Sequence, residues 1–318
     1  MKILNLGSLN FDKVYDVPHF VAVGETILSD GYAEFLGGKG LNQTLALARA
    51  GAEVYHAGAI GPDGAPFLEC LTQSGANAGW IQKIDAVSGH AIIQNAAGQN
   101  CIIVCGGANQ CISRAYIKQV LGNFGSGDIL LLQNEISNVS FAMEEARRRG
   151  MQIAFNASPI TRELMEYPLE LVDYFIINEV EGRALAGVAS EEYDRILEGL
   201  AEQFPNAAIV LTVGEKGVLY YNHGKRLSHG IYAVKAVDTT AAGDTFTGYF
   251  VACMAAGRPE EECLDLALPS LLRLLPGRPY KGSADGGHSE ICEHGLCHCC
   301  QQTGRVYLNS NMGRGHSF

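Results

Sequence analysis

SFAMEEARRRG, residues 140–150, runs directly into MQIAFNA, residues 151–157. The first stretch reads as an amphipathic helix with acids early, arginines late and Gly150 at its end, which suits the helix dipole and a glycine C-cap. The second reads as a short buried strand. The same alternation extends in both directions. KILNLGSL (2–9), AEVYHAGAIG (52–61), DILLLQ (128–133), YFIIN (174–178) and AAIVLTVG (207–214) are further buried-strand patterns. Helix patterns lie around 40–50, 63–75, 113–123, 138–149, 179–187 and 191–203. Strand–helix–strand repetition at this spacing predicts an α/β fold: a mainly parallel sheet with helices on both faces. Ligands of such sheets bind at the carboxyl ends of the strands.

Two segments break the alternation. Residues 11–36 and 88–105 carry short β patterns with hairpin turns and predict a small β-sheet projecting from the core as a lid. No internal repeat or low-complexity linker precedes residue 269. A length of 318 residues is compatible with two domains, yet the unbroken alternation favours one large core. The 38 glycines argue against a helical bundle and for turns and backbone-built sites.

Charge narrows the function. The net charge is −11, so the chain lacks the positive field that non-specific nucleic-acid binding needs. No stretch approaches the roughly 18–20 apolar residues of a membrane span, and MKILNLGSLNFD turns polar too early for a secretory signal. The expectation is a soluble cytoplasmic protein. Cys70, Cys101, Cys105, Cys111, Cys253 and Cys263 are scattered and suggest no disulfide framework, in keeping with a reducing compartment.

Several common site signatures are missing: the sequence has no G-x-x-x-x-G-K-[S/T], no G-x-G-x-x-G and no H-E-x-x-H. The chemistry concentrates instead in two other segments. In VDTTAAGDTFTGYFVACMAAG, 237–257, Ala241, Ala242 and Gly243 lead into an apolar helix pattern. Backbone N–H groups of small residues at a helix N-terminus can converge on one anion. Asp244 beside them either caps the helix or acts as a base that takes a proton when a hydroxyl attacks phosphorus. In FLGGKGLNQTLALARAGAEV, 35–54, glycines around Lys39 allow close backbone approach to a ligand, and Asn42 falls in the first helical turn, placed to grip hydroxyls with both arms of its amide.

These segments carry a resemblance to the ribokinase-like (PfkB) carbohydrate kinase family. It covers about residues 3–268 and includes GSLNFD (7–12), GETI (24–27), GGKGLNQ (37–43), GAIGPDG (58–64), GQNCIIVCGGAN (98–109), LLLQNE (130–135), INEVE (177–181), LTVGEKG (211–217) and DTTAAGDTF (238–246). The resemblance implies a three-layer sandwich and transfer of phosphate from ATP to the primary hydroxyl of a pentose, ribose first. A hexose derivative or a nucleoside is the other acceptor class within the family. Residue by residue, it implies sugar contacts from Asn10, Asp12, Gly38, Lys39, Asn42 and Glu135. Asn178 and Glu181 would order the triphosphate and its Mg²⁺, and Thr212, Gly214 and Gly217 would lie along the nucleotide. Asp238 and Thr240 would form part of a monovalent-cation (K⁺) site, Ala241, Ala242 and Gly243 the anion nest, and Asp244 the catalytic base. The partners implied are a sugar and ATP, and an exposed lid edge invites a homodimer.

After LDLAL (264–268) the family pattern stops. Residues 1–268 carry 18 Lys+Arg and 31 Asp+Glu, a net of −13; residues 269–318 carry 5 and 3, a net of +2. The last fifty residues also hold four of ten cysteines and four of nine histidines. Three readings stand for this atypical and poorly ordered tail: a zinc site from Cys292, His294, Cys297, His298, Cys299 and Cys300, an alternative exon, or a shifted reading frame. If the tail does not rebuild the missing part, the chain is a sugar-binding protein of the same fold with impaired turnover.

Overall fold

In a computed structural model, residues 1–230, 241–272 and 306–307 are described. The first elements are β1 (Ile3–Leu6), β2 (Asn10–Asp16), β3 (Gly31–Gly37), α1 (Lys39–Arg49), β4 (Val54–Ile60), α2 (Ala65–Gln73) and β5 (Asn77–Lys83). Next come β6 (Gly89–Ala96), β7 (Gln99–Cys105), α3 (Arg114–Leu121), β8 (Ile129–Gln133), α4 (Val139–Arg148) and β9 (Gln152–Asn156). The remainder is β10 (Tyr174–Asn178), α5 (Glu179–Ala186), α6 (Tyr193–Gln203), β11 (Ala208–Thr212), β12 (Val218–Asn222), β13 (Lys225–His229), α7 (Ala242–Ala255), α8 (Glu260–Leu272) and β14 (Val306–Tyr307).

Nine strands form the main sheet in the order β13-β12-β11-β10-β9-β8-β1-β4-β5. From β11 to β5 every neighbour is parallel, and β12 and β13 extend the sheet antiparallel. Successive strand residues feed opposite faces, as the period of two requires. Leu4, Leu130 and Leu132 pack among α3, α4 and α6, whereas Ile3, Ile129 and Leu131 pack among α1, α2, α7 and α8. Both faces are therefore apolar, which is why the parallel strands read as unbroken hydrophobic runs.

The expected α/β architecture is present, with differences of detail. β5 and the β12–β13 hairpin add three strands to the six read from sequence. The helix of the opening quotation has no acid in its first turn. Its acids sit further along, and the buried Glu145 carboxylate instead pairs with Arg148 and, at 2.9 Å, with Arg149. Its end is as expected, with Gly150 at φ +73° donating to the Arg147 carbonyl.

The two irregular segments meet in a second sheet, ordered β14-β3-β2-β6-β7. Here β2 runs antiparallel to β3 and parallel to β6, in the register Asn10–Gly89 through Asp16–Asn95. Its small core is Val14, Phe35, Ala91 and Ile93. β7 is exposed along its whole length, including Ile102, Ile103 and Val104. Only Ser8 and the residues beside it separate β1 in the main sheet from β2 in this one, so the junction of the two sheets falls at the carboxyl end of the central strand.

Candidate active site

α1 and α7 cross in close contact, and one glycine permits it. A methyl group on Gly248 would lie 2.4 Å from Ala46 Cβ and 2.9 Å from the Gln43 carbonyl oxygen. Because the helices approach so nearly, the first turn of α7 reaches the first turn of α1. Asn42 Nδ2 donates to Asp244 Oδ2 at 3.0 Å, and Gln43 Nε2 donates to Asp244 Oδ1 at 2.9 Å. Asp244 is 6% exposed. One N–H of the Asn42 amide is committed to Asp244, which leaves its second N–H and its oxygen for a ligand. The Asn42 Oδ1 is buried without a hydrogen-bond partner among the described residues, an acceptor that a ligand hydroxyl would satisfy.

Gly38, at φ +93°, turns the chain from β3 into α1, a conformation that disfavours any side chain. The turn aims the Lys39 N–H at Glu135 Oε2, 3.1 Å away, and Ser8 Oγ donates to the same oxygen. The carboxylate thus sits at the positive end of α1. Burial pushes the Glu135 carboxyl above its usual range and Asp244 adds to the push, while Ser8 and Lys39 oppose it. Burial works against the Lys39 charge, but Asp244, Glu135 and Glu181 together outweigh burial and hold its pKa above the ordinary lysine value. Asn10, 5% exposed, accepts from Asn109 Nδ2 at 2.8 Å through its Oδ1. Asp12 lies across the β2–β3 pair against the backbone of Gly37.

A cleft of about 240 Å³ opens beside these groups at the carboxyl ends of β9, β10 and β11. Lys39, Asn178, Glu181, Thr212, Ala241, Gly243 and Asp244 are among its lining residues. Ala241 and Gly243 belong to the start of α7, where Ala242 is the first helical residue and the leading N–H groups have no partner within the helix. Ala241 is left-handed, at φ +61°. Asn178 and Glu181 form a reciprocal capping box on α5: Asn178 Oδ1 accepts from the Val180 and Glu181 N–H groups, and Glu181 Oε2 accepts from the Asn178 N–H. This pair therefore caps a helix and faces the cleft at once. Thr212 Oγ1 donates to the Ile177 carbonyl at 3.3 Å, and Gly214 and Gly217 bound the turn that follows β11. Asp238 and Thr240, and the Cys/His cluster at 292–300, lie outside the described residues.

Sequence reasoning missed four contributors. Ser8 and Asn109 orient Glu135 and Asn10, and Gln43 and Gln133 stand behind Asp244. Their residue types carry no signal by themselves, and each works through a partner far away in the chain.

An acid held beside a phosphate-sized cleft, with an unpaired helix N-terminus and a lysine on its walls, is the equipment of an enzyme that moves a phosphoryl group onto a hydroxyl. The chain belongs to the pfkB family of carbohydrate kinases, whose model matches residues 2–269. It is 35% identical over 273 residues to a ribokinase of Haemophilus influenzae, covering 83% of this chain and 87% of that one. Among solved structures it is similar to ribokinase from Cryptococcus neoformans in complex with ADP, at TM-score 0.73 and 32% identity over 85% of this chain and 92% of that one. It is equally similar in shape to ribokinase of Arabidopsis thaliana complexed with ribose and ATP, at TM-score 0.73 and 27% identity, with 85% and 90% of the two chains covered.

Proposed function

We propose that this kinase transfers the γ-phosphoryl group of ATP to the primary hydroxyl of D-ribose, giving ribose 5-phosphate and ADP. The observation that carries the reading is the placement of Asp244, between the Asn42 and Gln43 amides on one side and the cleft at the start of α7 on the other. Asp244 accepts the hydroxyl proton as the sugar oxygen forms its bond to phosphorus and the bond to the departing ADP oxygen breaks. The N–H groups at Ala241, Ala242 and Gly243 take the charge that develops on the phosphoryl oxygens, and Lys39 adds a cation.

Asn10, Asp12, Gly38, Lys39, Asn42 and Glu135 hold the sugar. The buried Asn10 amide and the half-buried Asn42, Asp12 and Glu135 groups select a polyol because a polar group left unpaired there is costly. Asn178, Glu181, Thr212, Gly214 and Gly217 face the nucleotide. Among the described residues no three acidic, histidine or cysteine side chains gather as a metal cage. Mg²⁺ suits this site as a companion of the triphosphate, where it would neutralise phosphate charge, with Glu181 among the acids on the cleft wall. A K⁺ requirement through Asp238 and Thr240 belongs to the same reading.

Residues 1–268 are the kinase core, with β2, β3, β6 and β7 as its lid, and residues 269–318, which begin inside α8 and supply β14, are a tail that arises from another exon or a shifted frame. The β7 edge, apolar and unpaired among the described residues, supports a homodimer formed lid to lid. The thiols of Cys101, Cys105, Cys111, Cys253 and Cys263 support a reducing cytoplasm. Among the described residues no helix is long and apolar enough to cross a membrane.

The test is a panel of ribose, 2-deoxyribose, a hexose and a nucleoside, each with ATP and Mg²⁺, with and without K⁺. Ribose is expected to give the highest kcat/KM, and no turnover of ribose would overturn the substrate. Asp244→Asn is expected to abolish turnover while ribose still binds by calorimetry; retained turnover would remove Asp244 as the base.

A further inference from the structure

Behind Asp244 lies a chain of buried amides. Gln43 Nε2 donates to Asp244 Oδ1 at 2.9 Å and is also 3.2 Å from Asn156 Oδ1. Gln43 Oε1 accepts from Gln133 Nε2 at 2.6 Å, and Gln133 Nε2 also donates to Asn5 Oδ1 at 2.9 Å. Asn5 Nδ2 donates to the Gly40 carbonyl and to Thr44 Oγ1, both at 2.8 Å. Gln43 and Asn5 are 0% exposed and Gln133 is 1% exposed.

An amide side chain can be turned over to exchange its donor and its acceptor, so a row of amides has two self-consistent directions. Backbone groups choose between them here. The Gly40 carbonyl can only accept, so Asn5 must turn its NH₂ to Gly40 and its oxygen to Gln133. Gln133 must then offer NH₂, and Gln43 must answer with its oxygen and aim its own NH₂ at Asp244. Asn156 reaches the same result from the other side, because its Nδ2 donates to the Ile176 carbonyl at 2.7 Å and leaves its oxygen for Gln43. The direction has a cost that the fold accepts, since Gln133 Oε1 is buried with no partner among the described residues. Reversing Gln133 would set its oxygen against those of Asn5 and Gln43. Reversing Gln43 would set an oxygen against the Asp244 carboxylate.

We propose that Gln43 is a positioning residue for Asp244, locked by Gln133 and Asn5 in the one orientation that presents a donor to the carboxylate. The proposal rests on the reading of Asp244 as the base. Gln43 fixes the rotation of the carboxylate and leaves the other face of Asp244 toward the cleft. Because Gln43 does not line the cleft, its loss acts on turnover and not on binding.

Gln43→Glu keeps the shape and replaces the donor with an acceptor, and Gln133→Met releases the lock one step further away. The readout is single-turnover phosphoryl transfer to ribose across pH, with KM for ribose and ATP, on protein whose fold is checked by circular dichroism. The charged groups around Asp244, namely Lys39 at the start of α1, Glu135 after β8 and Glu181 on α5, are common to parent and variants. Gln43→Glu is expected to slow transfer on the order of 10–100-fold with both KM values within about 2-fold, and to move the acid limb to higher pH by about one unit. Gln133→Met is expected to shift rate and limb the same way by less. A folded variant of either kind with parental rate and acid limb, or with its loss confined to KM, would overturn the proposal. If the parent itself does not phosphorylate ribose, or Asp244→Asn remains active, it is the underlying reading that fails.

Discussion

Gly248→Ala tests whether the spacing of α1 and α7 governs the site. Helix propensity alone favours alanine by about 1 kcal/mol in a helix interior. The structure opposes that gain. The new methyl would stand 2.4 Å from Ala46 Cβ, 2.9 Å from the Gln43 carbonyl and 3.0 Å from the Leu47 nitrogen, against an optimal carbon contact of about 3.5–4.0 Å. Two of the three neighbours are backbone and cannot swing aside, so α7 must retreat from α1 by about 1 Å. Overpacking of this kind costs roughly 1–3 kcal/mol. The net result is a loss on the order of 1 kcal/mol, or a Tm lowered by about 2–4 °C. Activity suffers more than stability, because Asp244 lies one turn before Gly248 and retreats with it. Its hydrogen bonds to Asn42 and Gln43, now 3.0 and 2.9 Å, would stretch out of range. A displacement of 1 Å at a reacting group costs about 10²-fold in rate. The assay is thermal unfolding beside kcat for ribose, with Ala46→Gly/Gly248→Ala as partner variant. Removing the Ala46 methyl relieves one of the three contacts and should restore part of both losses. A Gly248→Ala protein with a raised Tm and parental kcat would refute the reasoning.

Other perturbations probe separate features. Ala241→Gly relieves a left-handed residue at the start of α7 and should raise stability by up to about 1 kcal/mol, read by urea titration; lower stability would mean that the turn is not strained. His56 is fully buried, and burial lowers its pKa from 6.5 to about 3. The folded state therefore refuses a proton that the unfolded chain accepts, and stability should fall as pH drops from 6.5 toward 3, by roughly 1.4 kcal/mol per unit. His56→Gln should flatten that slope, and an unchanged slope would assign the acid sensitivity to other groups. Glu145→Gln removes the buried carboxylate that faces Arg148 and Arg149, and a loss of about 1–3 kcal/mol is expected in thermal unfolding with kcat unchanged.

The centre of the sheet was readable from sequence because its inner parallel strands are buried on both faces and are written as apolar runs such as ILLLQ or YFIIN. β5 is not readable that way. NAGWIQK has only partial cover and polar residues at both ends, so the sheet edge resembles a connection. The β12–β13 hairpin turns at His223 and Gly224, both at positive φ, within a polar run that carries little alternation. Of the site, Asp244 and the glycines near Lys39 stand out locally because helix starts and tight turns restrict residue type. The amide row does not, because its direction is set by the Gly40 and Ile176 carbonyls, and its members come from β1, α1, β8 and β9. The N-x-x-E pair shows the opposite difficulty, since one local pattern serves a cap and a cleft wall together.

The parallel pairing of β2 with β6 also bears on how the chain assembles. Asn10 meets Gly89 only after β3, α1, β4, α2 and β5 have been traversed, whereas Gln43 meets Asp244 across 201 residues. Closing the longer loop costs more chain entropy and returns it only when the last contacts form. Asn10 and Asp12 depend on the shorter closure and Asp244 on the longer, so the start of α7 is the later part of the site to fold. A chain halted between the two stages would carry β2 seated on β6 with no acid opposite it, and the docking of α7 on α1 is the step that completes the site.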